Sequence, residues 1–178
     1  MADTIHLEIV TPDGVKLAAD VNEFTAPGAE GEFGVLPGHV PLLTALATGI
    51  VTYQIGAEKH AVAIGRGFAE VAADKATLLT TNFIKKEDVD PVVVRLELKA
   101  ADEALDKFDG DLQGFEYTEL LAKELWAAAE LEVYGDPPPP RMKILNELSF
   151  GHRENYAALA KGDTEESEAA ASEEKPAH

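Results

Sequence analysis

Histidines, carboxylates and serines are the side chains through which this 178-residue chain could do bond-making chemistry. The histidines stand at 6, 39, 60, 152 and 178, and no two have the i+2 or i+4 spacing that aims a pair of imidazoles at one metal. His6 and His60 fall in alternating, strand-like segments, and His39 closes a Pro-Gly-His turn. Ser149, Ser167 and Ser172 sit outside any G-x-S-x-G elbow. There is no cysteine, hence no thiolate nucleophile, thiolate metal site or disulfide. The nearest approach to a phosphate-cradling loop is Gly65-Arg66-Gly67, which lacks the lysine and the following helix and reads as a strand kink. Acid–base pairs cannot be singled out in so acidic a chain, because chance proximity is frequent. The expectation is a chain without a catalytic constellation, metal or cofactor of its own.

The formal net charge is −18. A polyanion repels nucleic acid phosphates and anionic lipid, which argues against a nucleic-acid partner. Residues 163–178 hold six acids against Lys175, leaving −13 on the rest. Met1-Ala2-Asp3-Thr4 has no positive n-region and Ile5–Val10 alternates, so the opening does not read as a signal peptide. No stretch reaches the ~20 apolar residues that a membrane span requires. Membrane association is therefore expected only through partners.

Residues 4–81 read as all-β. Ile5, Leu7 and Ile9 alternate with polar neighbours, and Thr11-Pro12-Asp13-Gly14 supplies a tight turn into Val15–Val21. Val51–Ile55, His60–Ile64, Phe68–Ala72 and Ala76–Thr81 continue the pattern, as in a sandwich or barrel. Between them, Pro27–His39 carries four glycines and two prolines and reads as a long irregular contact loop. The period changes after residue 86. Asp90 can cap a helix with Pro91 at its first position, and Val94, Leu98, Ala101, Leu105 and Phe108 form one apolar stripe. Tyr117, Leu120, Leu121, Ala128 and Leu131 supply a second stripe, which Glu124 interrupts.

The fold class is thus α+β: an N-terminal antiparallel β-sandwich of 1–86 and a C-terminal antiparallel two-helix hairpin of 87–135. Asp136 and prolines 137–140 begin a Pro-rich linker, 136–162, in which Arg141–Lys161 could form an extra helix. The acidic tail, 163–178, reads as disordered. The residues alone leave open an interaction subunit or a free-standing sandwich that binds a small ligand. The second would want exposed aromatics clustered on one sheet face, and aromatics make up only 7% of the chain.

The run Glu30-Gly31-Glu32-Phe33-Gly34-Val35-Leu36-Pro37-Gly38-His39-Val40-Pro41-Leu42-Leu43, within Phe24–Thr44, strongly resembles the epsilon subunit of the bacterial proton-translocating (F-type) ATP synthase. Leu7–Gly14, Gly67–Val71 and the two helices are similar to the same family, and the resemblance spans about residues 3–134. It implies a sandwich of about ten strands and a non-catalytic place in the central stalk, coupling the membrane c-ring to the gamma subunit. It implies a peripheral position on the cytoplasmic face of the cell (inner) membrane, with Glu32 and His39 meeting the c-ring. It also implies a hairpin that can inhibit ATP hydrolysis, with the catalytic beta subunits as further partners. Arg95 takes the place of the arginine of the ATP-binding members, as a weak nucleotide contact. Their I-D-x-x-R-A pattern is absent, since Val92 and Leu96 flank it, so no tight ATP binding is expected. The hairpin helices, 91–134, hold four basic residues against eleven acids, a net of −7, whereas 137–161 carry +2. A weak hairpin brake that needs the extension is expected.

Overall fold

A computed structural model describes residues 4–138. Ten strands are followed by two helices. The strands are β1 (Ile5–Thr11), β2 (Gly14–Val21), β3 (Glu23–Gly28), β4 (Gly31–Val35), β5 (Leu42–Leu46), β6 (Gly49–Ile55), β7 (Glu58–Ile64), β8 (Gly67–Ala72), β9 (Lys75–Thr80) and β10 (Phe83–Lys85). The helices are α1 (Pro91–Asp106) and α2 (Phe115–Tyr134), after a short 3-10 turn at Lys86–Asp88. The α+β expectation holds. The proposed extra helix, the acidic tail and all but the start of the Pro-rich linker lie outside the described residues.

The strands hydrogen-bond in the order β10-β7-β6-β3-β5-β8-β9-β1-β2, with β4 on the other edge of β3. One residue pair, Gly28 with Leu46, joins β3 to β5 and lets the sheet fold over on itself. The alternation read in β1 is borne out, since Ile5, Leu7 and Ile9 are fully buried. They meet Val21, Phe24, Val51, Ile64 and Leu78 in the core between the two halves of the sheet. Burying each such side chain contributes about 1.5–3 kcal/mol, against ~1 kcal/mol net for a hydrogen bond. The apolar period therefore decides which face of each strand turns inward.

Two features depart from the sequence reading. β1 pairs with β9 in parallel, His6 opposite Lys75 and Val10 opposite Leu79, although its other neighbour β2 is antiparallel. And most of Pro27–His39 is a hairpin rather than an irregular loop. β3 and β4 pair from Phe24–Val35 to Gly28–Gly31, with Gly31 at φ +130° in the tight return. Only Leu36–Pro41 stays irregular.

A second apolar cluster forms where the hairpin covers the outer face of β6, β7 and β10. Ile50, Ala63 and Ile84 of the sheet meet Val94, Leu98, Trp126, Ala127, Ala129, Leu131 and Val133 of the helices. The Asp90 carboxylate accepts from Val92 N at 3.0 Å and Val93 N at 3.3 Å, capping α1 as the sequence suggested. At the other end, Gly135 stops α2: at φ +104° its N–H and that of Asp136 fold back onto the Leu131 carbonyl, at 3.1 and 2.9 Å. The prolines follow a helix that has already ended.

Candidate functional site

The segments around Glu32 and His39 are braced by one strand, β5. At its C-terminal end the β3–β4 return is tied down by Ala29 N donating to the Ala45 carbonyl and Ala47 N donating to the Pro27 carbonyl, both 2.9 Å. Glu32 sits opposite Pro27 in that hairpin, exposed, without a hydrogen bond or ion pair among the described residues. At the N-terminal end of β5, Leu42 pairs with Val71, three residues after His39. The His39 N–H closes a turn onto the Leu36 carbonyl at 3.1 Å, and its Nδ1 lies 2.7 Å from the Val40 carbonyl. Gly38 N donates to the Asp74 carboxylate at 3.2 Å, holding the turn against the β8–β9 return. No direct bond joins Glu32 to His39. Both are presented on well-braced backbone, with neither side chain committed to another side chain.

The outer face of β2-β1-β9-β8-β5 carries two zones that the sequence reading did not single out. One is a charged ladder. His6 Nδ1 lies 2.8 Å from Asp20, and Glu8 lies 3.4 Å from His6 Nε2 and 2.8 Å from Lys75 Nζ. The hydrogen bond to Asp20 raises the His6 pKa, and the bond from Lys75 lowers that of Glu8. These groups are open to water, so the ladder adds little stability.

The other zone is apolar. The strand registers place Val15, Val10, Leu79, Phe68 and Ala45 side by side in one row across five strands. Phe68 is 60% exposed and Leu79 52%, and Leu43 lies two positions along β5 on the same face. The signal was present in the sequence, because Phe68 and Val10 break the polar half of their strands' alternation. α1 likewise shows Val92 and Leu96 to solvent beside its buried stripe.

Arg95 does not point at an open site. Its Nε and Nη2 donate to Asp136 Oδ2 at 3.0 and 2.5 Å, tying the start of α1 to the end of α2. His60 stacks on Tyr53 with ring centroids 5.1 Å apart, at the edge of the core. Gly65-Arg66-Gly67 is a tight strand connection: the Gly65 N–H donates to the Asn82 carbonyl at 3.0 Å, and Thr81 N donates to the Arg66 carbonyl at 3.0 Å. Among the described residues no group of three or more metal-ligating side chains converges. No described helix is long and apolar enough to cross a membrane.

Comparison with known proteins places this architecture. Residues 4–86 match the family described as ATP synthase, Delta/Epsilon chain, beta-sandwich domain. An ATP synthase epsilon chain of Nitratidesulfovibrio vulgaris is 48% identical over 90 residues, 51% of this chain and 67% of the relative. One from Magnetococcus marinus is 39% identical over 132 residues, 74% of this chain and 94% of the relative, so the likeness runs through both helices. Among solved structures, a chain of the Euglena gracilis mitochondrial ATP synthase shares the fold, with TM-score 0.57 and 24% identity over 76% of this chain and 80% of that one. Sandwich, hairpin and their order in the chain all agree with these relatives, and the chain belongs to the ATP synthase epsilon chain family.

Proposed function

We propose that the chain is a non-catalytic rotor subunit of the central stalk, joining the c-ring to the gamma subunit so that proton flow drives ATP synthesis. The observation that carries this reading is that one sandwich presents two unlike exposed surfaces. The braced polar segments of Glu32 and His39 suit the polar loops of a membrane ring, since a carboxylate accepts and an imidazole both donates and accepts. The apolar row of Phe68 and Leu79 suits a protein partner that stays bound, the gamma subunit. In this reading the chain reaches the cytoplasmic face of the inner membrane through those partners and takes no cofactor.

Restoring the chain to a synthase depleted of its epsilon subunit tests this. Wild type is expected to restore ATP-driven proton pumping. Glu32→Ala combined with His39→Ala is expected to assemble but pump several-fold less. Both side chains lie outside the core, where such changes cost within ~0.5 kcal/mol of stability. Normal pumping by the double variant would remove these residues from the ring contact.

The docked hairpin corresponds in this reading to the non-inhibiting state. Its net charge of −7 over 91–134 opposes approach to acidic loops of the catalytic beta subunits, and like-charge juxtaposition costs several kcal/mol. With Arg95 already held by Asp136, a nucleotide contact there requires breaking that pair. Residues 137–161, at +2, are the better candidate for the inhibitory contact. Truncation after Gly135 is expected to relieve most inhibition of ATP hydrolysis in the assembled enzyme. Inhibition that survives it and is lost only on truncation after Asp90 would make the acidic helices themselves the brake.

A further inference from the structure

Glu130 is a carboxylate where the fold has little use for one. It is only 7% exposed, on the covered side of α2, with buried Ala127 and Val133 one turn to either side. Those neighbours belong to the apolar cluster that seats the hairpin on the sheet. No hydrogen bond or ion pair reaches its carboxylate among the described residues. The charged group that faces it from α1 is another acid, Glu97, among the apolar Val94, Leu98 and Ala101 of that helix's covered face. Asp102 of α1 and Glu124 of α2 also bury a carboxylate oxygen each. From the sheet, β6, β7 and β10 meet the hairpin through Ile50, Ala63 and Ile84, none of which titrates. Lys59 and His60 of β7, Lys85 of β10, and Lys86 and Glu87 of the 3-10 turn gather farther along, around Val133. Lys86 Nζ extends toward Gly135 at the C-terminal end of α2.

We propose that Glu130 is a proton-operated latch: the hairpin sits firmly on the sandwich when this carboxyl is neutral and loosens when it ionises. An ionised carboxylate here loses hydration and gains only the repulsion of Glu97, whereas the neutral acid gives up far less on leaving water. Burial first, and then Glu97, push its pKa from the ordinary 4.5 up to about 7. The sign follows. A group whose pKa is higher docked than undocked weakens docking as pH rises through the gap. Docking is therefore strongest below about pH 4.5, falls about tenfold per pH unit up to about 7, and is level above that, a total of roughly 300-fold. The latch is a property of the chain itself and stands apart from the stalk reading.

The test uses the full-length chain. Hydrogen-exchange protection of the Ala127–Val133 amides, corrected for the intrinsic pH dependence of exchange, is expected to fall between pH 5 and 7 and flatten above. Glu130→Gln is expected to remove that fall and keep α2 protected at pH 8. Glu97→Gln is expected to move the upper end of the fall to lower pH. Identical pH profiles for wild type and Glu130→Gln would overturn the latch. So would carbon NMR of the wild-type Glu130 carboxyl titrating near 4.5, a measurement that decides the matter even where the glutamine variant fails to fold.

Discussion

Replacing Gly67 with alanine is expected to destabilise the sandwich by more than ~3 kcal/mol, an effect beyond ordinary overpacking because the obstacle is backbone. A Cβ at Gly67 would lie 1.8 Å from the Leu79 carbonyl oxygen and 2.8 Å from its carbon. Gly67 opens β8 opposite Thr80 of β9, and Leu46 pairs with it from β5. The side chain therefore has no room unless β8 and β9 part. Parting them strips ladder bonds from the middle of the sheet and opens the core at Ala69 and Leu78. The neighbouring Thr80 hydroxyl donates to the Gly65 carbonyl at 2.9 Å, so the same shift strands a buried hydroxyl. Gly34→Ala is the control. It is also a strand glycine, but nothing lies within 4 Å of its added Cβ, and its stability should stay within ~0.5 kcal/mol of wild type. Urea unfolding followed by Trp126 fluorescence measures both. Equal midpoints for the two variants would show that β8 and β9 can separate freely at this point.

That glycine illustrates which parts of this molecule are legible in its residues. The Gly65-Arg66-Gly67 kink could be read, because two glycines around one arginine inside an apolar alternation announce a bend. The identity of the atom that forbids a side chain there could not, because Leu79 comes from another strand. The same limit explains the parallel β1–β9 pair: alternation tells which face of Ile5–Thr11 is buried but not which strand lies beside it. The Gly/Pro-rich stretch misled for a local reason. Pro27 and Gly28 look like breakers, yet Pro27 uses only its carbonyl, to Ala47, and Gly28 leaves space for the Phe33 ring over it. In the hairpin, the Asp90 cap and the first stripe were readable from short-range chemistry alone, whereas the end of α2 at Gly135 was not. Glu124 showed only as a break in the second stripe, and Glu130 did not show at all, since α2 is covered by both α1 and the sheet and its buried arc is wider than one stripe. Of the candidate site, Glu32 and His39 were legible only through resemblance. The apolar row required strand register, which brings residues from 10, 15, 45, 68 and 79 together.

Phe68→Asp is expected to weaken binding to the gamma subunit at least ~30-fold, the loss that removing an aromatic anchor of ~2–4 kcal/mol produces. The row to which Phe68 belongs crosses five strands spaced ~4.8 Å apart, a band of ~19 Å. That is wide enough to anchor the ~800 Å² per partner of a stable interface. Its centre is the pair Phe68–Leu79, flanked by Val10 and Val15 on one side and Ala45 and Leu43 on the other. The charged ladder of Asp20, His6, Glu8 and Lys75 bounds it as a polar rim. An aspartate at the centre removes the largest apolar contact and leaves a desolvated, unpaired charge in its place. The free chain should tolerate the change, because the ring is mostly in water and its loss leaves the core between the sheet halves untouched. Ile55→Asp is the comparison: another exposed apolar strand residue, at the β6–β7 return and off the row, expected to bind as wild type. Calorimetric titration of each full-length variant into the gamma subunit, with thermal unfolding run alongside, separates a lost interface from a lost fold. Undiminished affinity of a folded Phe68→Asp chain would place the partner on another face, and the exposed Val92–Leu96 strip of α1 would then be the next surface to mutate.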